Sequence, residues 1–221
     1  LNFNITAIEA RILGCLIEKE ATTPDVYPLT LNSLLTACNQ KSNREPVMAL
    51  NTDDLMTALD SLTDKTLVST WKSSHNRMAK YQHKLRHRVS DKFNFSLPEL
   101  AVLGVLFLRG PQTIGEIRSR CARIHEFDNL DALQGVLTAL EANPDGPYTT
   151  LLARQQGRKE PRHSHLFCSD PDDIIAPDIV AERASTGANS RLERVELEVS
   201  ELTSELDDLR QRFEQFAKQF E

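Results

Sequence analysis

Apolar residues recur along the first two thirds of the chain at the spacing of helical turns, and polar runs mark where those turns stop. Ile5, Ile8, Ile12 and Leu16 share one face, widened by Leu13 and Ile17, which predicts a first helix. Leu31, Leu34 and Leu35, continued by Cys38, predict a second helix over 30–38. A third is predicted from about residue 53 to 65, with Leu55, Leu59 and Leu62 on one side. Asn51 or Thr52 suits its N-cap, and Asp53 and Asp54 suit the positive end of its dipole. The run Leu67-Val68-Ser69-Thr70-Trp71 then reads as a strand, with 81–89 as its returning partner.

The pattern occurs twice. Residues 9–16 align with 99–106 at an offset of 90; Leu31, Leu34 and Cys38 align with Ile114, Ile117 and Cys121 at 83; and 55–60 align with 136–141 at 81. Three ordered blocks with a shrinking offset indicate two related units, the first with longer connections. The second unit is expected to hold helices over 97–108, 114–121 and 129–141, then strands near 148–154 and 163–168. Three helices closed by a two-stranded ribbon is the winged-helix plan, a helix-turn-helix variant. The expected architecture is therefore mainly helical with small β-ribbons. It comprises a first winged-helix domain over 1–92, a second over 93–170, a linker over 171–190 and a coiled-coil helix over 191–221.

That last segment has its own period. Leu192, Val195, Val199, Leu202, Leu206, Leu209, Phe213, Phe216 and Phe220 alternate steps of three and four, a narrow heptad seam among glutamates. A homodimer through this helix is expected; the alternative is one helix folded back on the second domain.

Charge changes the picture more by its distribution than by its total of −6. Residues 170–221 carry fourteen Asp/Glu and six Lys/Arg, leaving twenty Lys/Arg and eighteen Asp/Glu over 1–169. The acidity belongs mainly to the tail. Four cysteines, Cys15, Cys38, Cys121 and Cys168, stand far apart with no CxxC and read as reduced core residues. No apolar run approaches the roughly 18 residues of a membrane span, and no secretory-leader pattern stands at the start. The expected setting is the cytoplasm, with no membrane partner.

The third helix ordinarily enters the major groove in this fold. Here its outward positions are Asp53, Asp54, Thr57, Asp60, Ser61 and Asp64, and an acidic surface repels phosphates. The second unit offers Asp131, Gln134, Gly135, Thr138 and Glu141, again without a cation. The ribbon differs. Residues 72–92, KSSHNRMAKYQHKLRHRVSDK, hold seven Lys/Arg against one Asp, and in the second ribbon Arg154, Arg158, Lys159 and Arg162 stand against Glu160. Candidate phosphate contacts are Lys80, Lys84, Arg86 and Arg88, with Lys41 and Arg44 from the polar run Asn39-Gln40-Lys41-Ser42-Asn43-Arg44-Glu45-Pro46. In the competing readings the ribbon cations pair with the chain's own carboxylates, and Asn39 and Pro46 simply shape a turn. Asp53, Asp54, Asp60 and Asp64 are the candidate protein-docking face.

Chemistry of other kinds finds little footing. His163 and His165 alternate on one strand face with Cys168 on the other, which speaks against zinc. No GxxxxGK[ST] or GxGxxG occurs, and the six histidines form no triad pattern. Neither an enzyme nor a cofactor nor a metal is expected. The expected partners are nucleic acid, bound weakly or nonspecifically, or another protein.

The run EARILGCLIEKEATTPDVYPLTLNSLLTACNQKSNREPVM over 9–48, with GRKEPRHSHLF over 157–167, resembles the YceH family of uncharacterised bacterial proteins. The resemblance covers roughly residues 3–169 and implies a tandem winged-helix fold. It implies no activity, cofactor or catalytic residue, so no functional residue is carried over from it.

Overall fold

The computed structural model describes residues 4–73, 76–86, 93–154 and 160–168, of which the side chains of 72, 73, 76 and 77 are left aside. All of these belong to one compact unit, Leu1–Pro177. The expected linker over 171–190 and coiled-coil helix over 191–221 lie outside the described residues, as does Arg88.

The architecture is helical with small antiparallel sheets, in the order α1 (Ala7–Thr22), β1 (Leu29–Thr30), α2 (Leu31–Cys38), α3 (Thr52–Asp64), β2 (Val68–Ser73), β3 (Asn76–His83), α4 (Leu97–Arg109), α5 (Ile114–Cys121), α6 (Leu130–Glu141), β4 (Thr149–Leu151) and β5 (His163–His165). The helices begin where local chemistry says they should. Thr6 and Glu9 form a capping box on α1, with Thr6 N–H donating to Glu9 Oε2 at 2.6 Å. Thr30 and Thr113 cap α2 and α5 through their hydroxyls, at aligned positions in the two repeats. Asn51 and Asn129 cap α3 and α6 through their amide oxygens, which accept from Asp54 and Ala132 N–H.

The sheets also repeat. In the first, strand order is β1-β3-β2, all antiparallel. In the second, β4 pairs with β5, and an isolated bridge between Gln112 and His163 takes the place that β1 holds in the first. Gln112 stands immediately before the capping Thr113, as Leu29 stands before Thr30.

The returning strand departs from the expected 81–89. β2 runs on to Ser73 and β3 already begins at Asn76, so that Thr70 faces Tyr81 and Val68 faces His83. Register follows burial: Val68 and His83 both point inward, and Leu85 beyond the strand is fully buried. Lys84 N–H closes the pairing on Leu67 O at 2.8 Å, which leaves Lys84 and Arg86 past the strand end rather than within it. On β5 both faces of the strand are covered. The strand lies between β4 and Gln112 and packs on α4, so His163, Ser164 and His165 are all buried.

α1 and α4 are the central helices of their repeats, each buried on every side along most of its length. A helix so enclosed sits inside the molecule and has no solvent face. They pack on one another through aligned glycines. A Cβ at Gly14 would lie 2.8 Å from Leu108 Cγ, and one at Gly104 would lie 2.9 Å from Ile17 Cγ2. The two repeats thus share one core, whose second half gathers Phe93, Phe95, Tyr148 and Phe167 edge-to-face or stacked. Backbone bonds cross the same seam, from Ile5 N–H to Phe167 O at 3.0 Å and from Glu45 N–H to Leu108 O at 2.9 Å. No helix among the described residues is long and apolar enough to cross a membrane.

Candidate functional site

The polar run between α2 and α3 turns mostly inward. Asn39 caps α2 through its backbone, and its side chain bonds both polar groups of Leu50, at 2.8 and 2.9 Å. Asn43 Oδ1 accepts from Arg109 at 2.7 Å, and Pro46 O accepts from Arg11 at 2.6 Å. Of the two cations in the run, Lys41 is exposed and Arg44 is only 5% exposed.

Arg44 is therefore a correction to the expected phosphate contacts. Its guanidinium donates to Glu18 Oε2 at 2.6 Å, Ala37 O at 3.0 Å, Asn43 O at 2.9 Å and Gln40 Oε1 at 3.1 Å. Five N–H donors in a rigid fork suit a site that must close a loop around buried carbonyls and one carboxylate. Glu18 is itself buried and bonds Arg123 at 3.3 Å through its other oxygen. An arginine in a polar sequence run is ordinarily a surface group, and the signal that could have placed it inside was Glu18, an acid among the apolar positions of α1.

The other candidate cations keep their access. Lys80 faces Trp71 across the strand pair, and Met78 follows where the register of the pair shifts. Trp71 is 49% and Met78 56% exposed. Lys84 is half-buried and Arg86 exposed just beyond. Among the described residues, no carboxylate lies within ion-pair distance of Lys41, Lys80, Lys84 or Arg86. His83, which lies within the basic run 72–92, is a core residue. Its Nδ1 accepts from Leu85 N–H, so Nε2 carries the hydrogen and donates to Glu20 at 2.9 Å.

The carboxylates of α3 stand as the pattern indicates. Asp53, Asp54, Asp60 and Asp64 are exposed, with Leu55, Leu59 and Leu62 buried behind them. Asp54 is additionally the third residue of the capping box with Asn51. On α6, Asp131, Gln134, Gly135, Thr138 and Glu141 are exposed as well.

All four cysteines are free and buried. The hydrogen bond to Cys15 and burial both push the Cys38 thiol up, so it stays protonated. Burial holds His165 down to about 4 and also lowers His163, which suits two neutral rings packed in a core. His165 lies edge-on to Phe107 with ring centres 4.9 Å apart. Among the described residues, no three His, Cys, Asp or Glu side chains are grouped to hold a metal ion.

A family model described as "Protein of unknown function, DUF480" matches residues 5–158. The UPF0502 protein YceH of Salmonella newport (strain SL254) is 42% identical over 209 residues, spanning 95% of this chain and 97% of that one. The UPF0502 protein YceH of Salmonella heidelberg (strain SL476) matches to the same extent. With its glycine-packed central helices and inward-turned polar loop, the chain belongs to the YceH family.

Proposed function

We propose that the chain is a non-catalytic, tandem winged-helix protein that associates with nucleic acid through the β2–β3 ribbon and the residues just after it. The succession α1–α2–α3–β2–β3, repeated as α4–α5–α6–β4–β5, supports the fold assignment. One observation carries the functional one: Lys41, Lys80, Lys84 and Arg86 lack a carboxylate partner among the described residues, and exposed Trp71 stands opposite Lys80. Unpaired cations gain free energy by displacing condensed counterions from phosphates, and an exposed aromatic ring offers a stacking surface for bases. Arg88 continues the same basic run. The acidic faces of α3 and α6 point away from the duplex in this arrangement, so binding is weakly sequence-selective and regulatory rather than catalytic. The heptads from Leu192 to Phe220 would pair two copies and bring two ribbons to one duplex, raising avidity.

A second reading is favoured by the exposure of Asp53, Asp54, Asp60 and Asp64 around the exposed Met56. In it α3 docks a basic partner protein and no nucleic acid is bound directly.

Titration of a nonspecific duplex at low and high salt separates the two. For four phosphate contacts the log–log slope with salt is expected to be about −3 to −4, and Lys84→Glu with Arg86→Glu should make it shallower by roughly 2. Salt-independent binding, or equal binding by both proteins, assigns the surface to the docking reading instead.

A further inference from the structure

A cavity of about 220 Å³ opens where the loop after α2 meets α4 and α5. Its polar wall is made of Arg109, Arg120, Arg123, Glu18, Asn43 and Ser119. Behind them, Val105, Leu108 and Ile124 supply an apolar floor. Both repeats contribute: Glu18 and Asn43 come from the first, the arginines from the second.

The charge within this wall is unbalanced. Glu18 is its one carboxylate, and the buried Arg44 already holds it at 2.6 Å. Arg120 reaches Glu116 at 3.4 Å and Gln112 Oε1 more closely. Arg109 has Asn43 as its hydrogen-bond acceptor, a neutral amide at 2.7 Å. Glu18 is shared between Arg44 and Arg123, the latter at 3.3 Å, Glu116 is matched to Arg120, and Glu45 acts on Arg109, so four arginines face three carboxylates and one positive charge remains in excess. Burial, followed by repulsion from Arg120, lowers the Arg109 guanidinium from its ordinary value, as expected where positive charges crowd. Carbonyls at the nearby helix ends are taken up by backbone donors. Leu106 O accepts from Gly110 N–H, Leu108 O from Glu45 N–H, and Cys121 O from both Ile124 and His125 N–H.

We propose that this cavity binds a small organic anion, a phosphate or carboxylate head group on a short hydrocarbon body, with Arg109, Arg120 and Arg123 as its ligands. Guanidinium forks match the paired oxygens of either head group, and convergence of three forks in a partly desolvated site strengthens each contact. The apolar floor fits the body of such a molecule. The small volume admits no duplex. The cavity shares no residue with the β2–β3 surface, and a ligand there would bridge the two repeats. Binding would therefore raise the unfolding temperature of the whole unit.

The test is calorimetric titration of the full chain at constant ionic strength with inorganic phosphate, glycerol 3-phosphate and succinate, the last separating carboxylate from phosphate recognition. Saturable binding of at least one probe is expected, weakened about tenfold or more by Arg109→Gln and by Arg123→Gln. Arg118→Gln makes the same charge change on α5 outside the cavity wall and should leave binding as it was. Two variants, one on α4 and one just past the end of α5, guard against misfolding of one, with circular dichroism confirming the fold of each. The proposal is overturned if none of the probes binds saturably at millimolar concentration, or if the cavity variants bind as the parent does. It is equally overturned if those variants weaken only a short nonspecific duplex, which would make the arginines part of a nucleic-acid surface.

Discussion

Arg44 shows how much a single side chain's position decides. Taken with Lys41 as a surface cation it would stabilise nothing and contact phosphate; held against Glu18 with its side chain wholly inside, it is part of the core. Breaking a buried ion pair strands the remaining charge at a cost of roughly 3–5 kcal/mol. Arg44→Ala should accordingly lower urea-unfolding stability by about 3 kcal/mol, the lower end because Arg123 still reaches Glu18. Its duplex affinity, measured on the folded fraction, should hold. Unchanged stability with weakened duplex binding would return Arg44 to the phosphate set. The sequence offered both readings because a residue's charge is visible there but its pairing is not. Arg44 and Glu18 lie 26 positions apart, and nothing local links them.

At the scale of elements, local rules worked where they had local causes. The spans of α2 and α5 and the caps at Thr30, Asn51, Thr113 and Asn129 follow from residues within one turn. The β2–β3 register did not, because it is settled by which side chains reach the core. Gly14 and Gly104 are similar: in a helix each costs up to about 1 kcal/mol relative to Ala, and only the approach of α1 to α4 explains their presence. Gly14→Ala should lose roughly 1–2 kcal/mol in chemical denaturation, because overpacking against Leu108 and Phe107 outweighs the propensity gain. Gly135→Ala meets nothing within 4 Å and should gain up to about 1 kcal/mol. A stabilised Gly14→Ala protein would mean that the helices have room between them.

Across the whole molecule, both repeats draw on one core, so a neutral histidine buried in it takes up a proton less readily than in the unfolded chain. His165, held near 4 against an unfolded value of about 6.5, binds its proton in the unfolded chain first as pH falls. Its contribution is complete above about pH 6.5 and is lost on the way down to about 4, amounting to at most about 3 kcal/mol. The groups packed on it, Phe107 and Phe167, carry no charge to offset this. Denaturation midpoints should therefore drop across that window, and His165→Leu should remove close to one proton from the dependence; an identical pH profile would locate the acid sensitivity elsewhere. Periodicity, caps and the acidic outer faces of α3 and α6 lie within the sequence itself, because each depends on residues a turn or a strand apart. The internal repeat lies there too, because it is a likeness between two stretches of the same string of residues. Tertiary structure alone decided that α1 and α4 meet glycine to side chain, that the polar loop turns inward, and that three arginines converge on one cavity. Those outcomes depend on distances between residues far apart in the chain, and side-chain type carries no record of such distances.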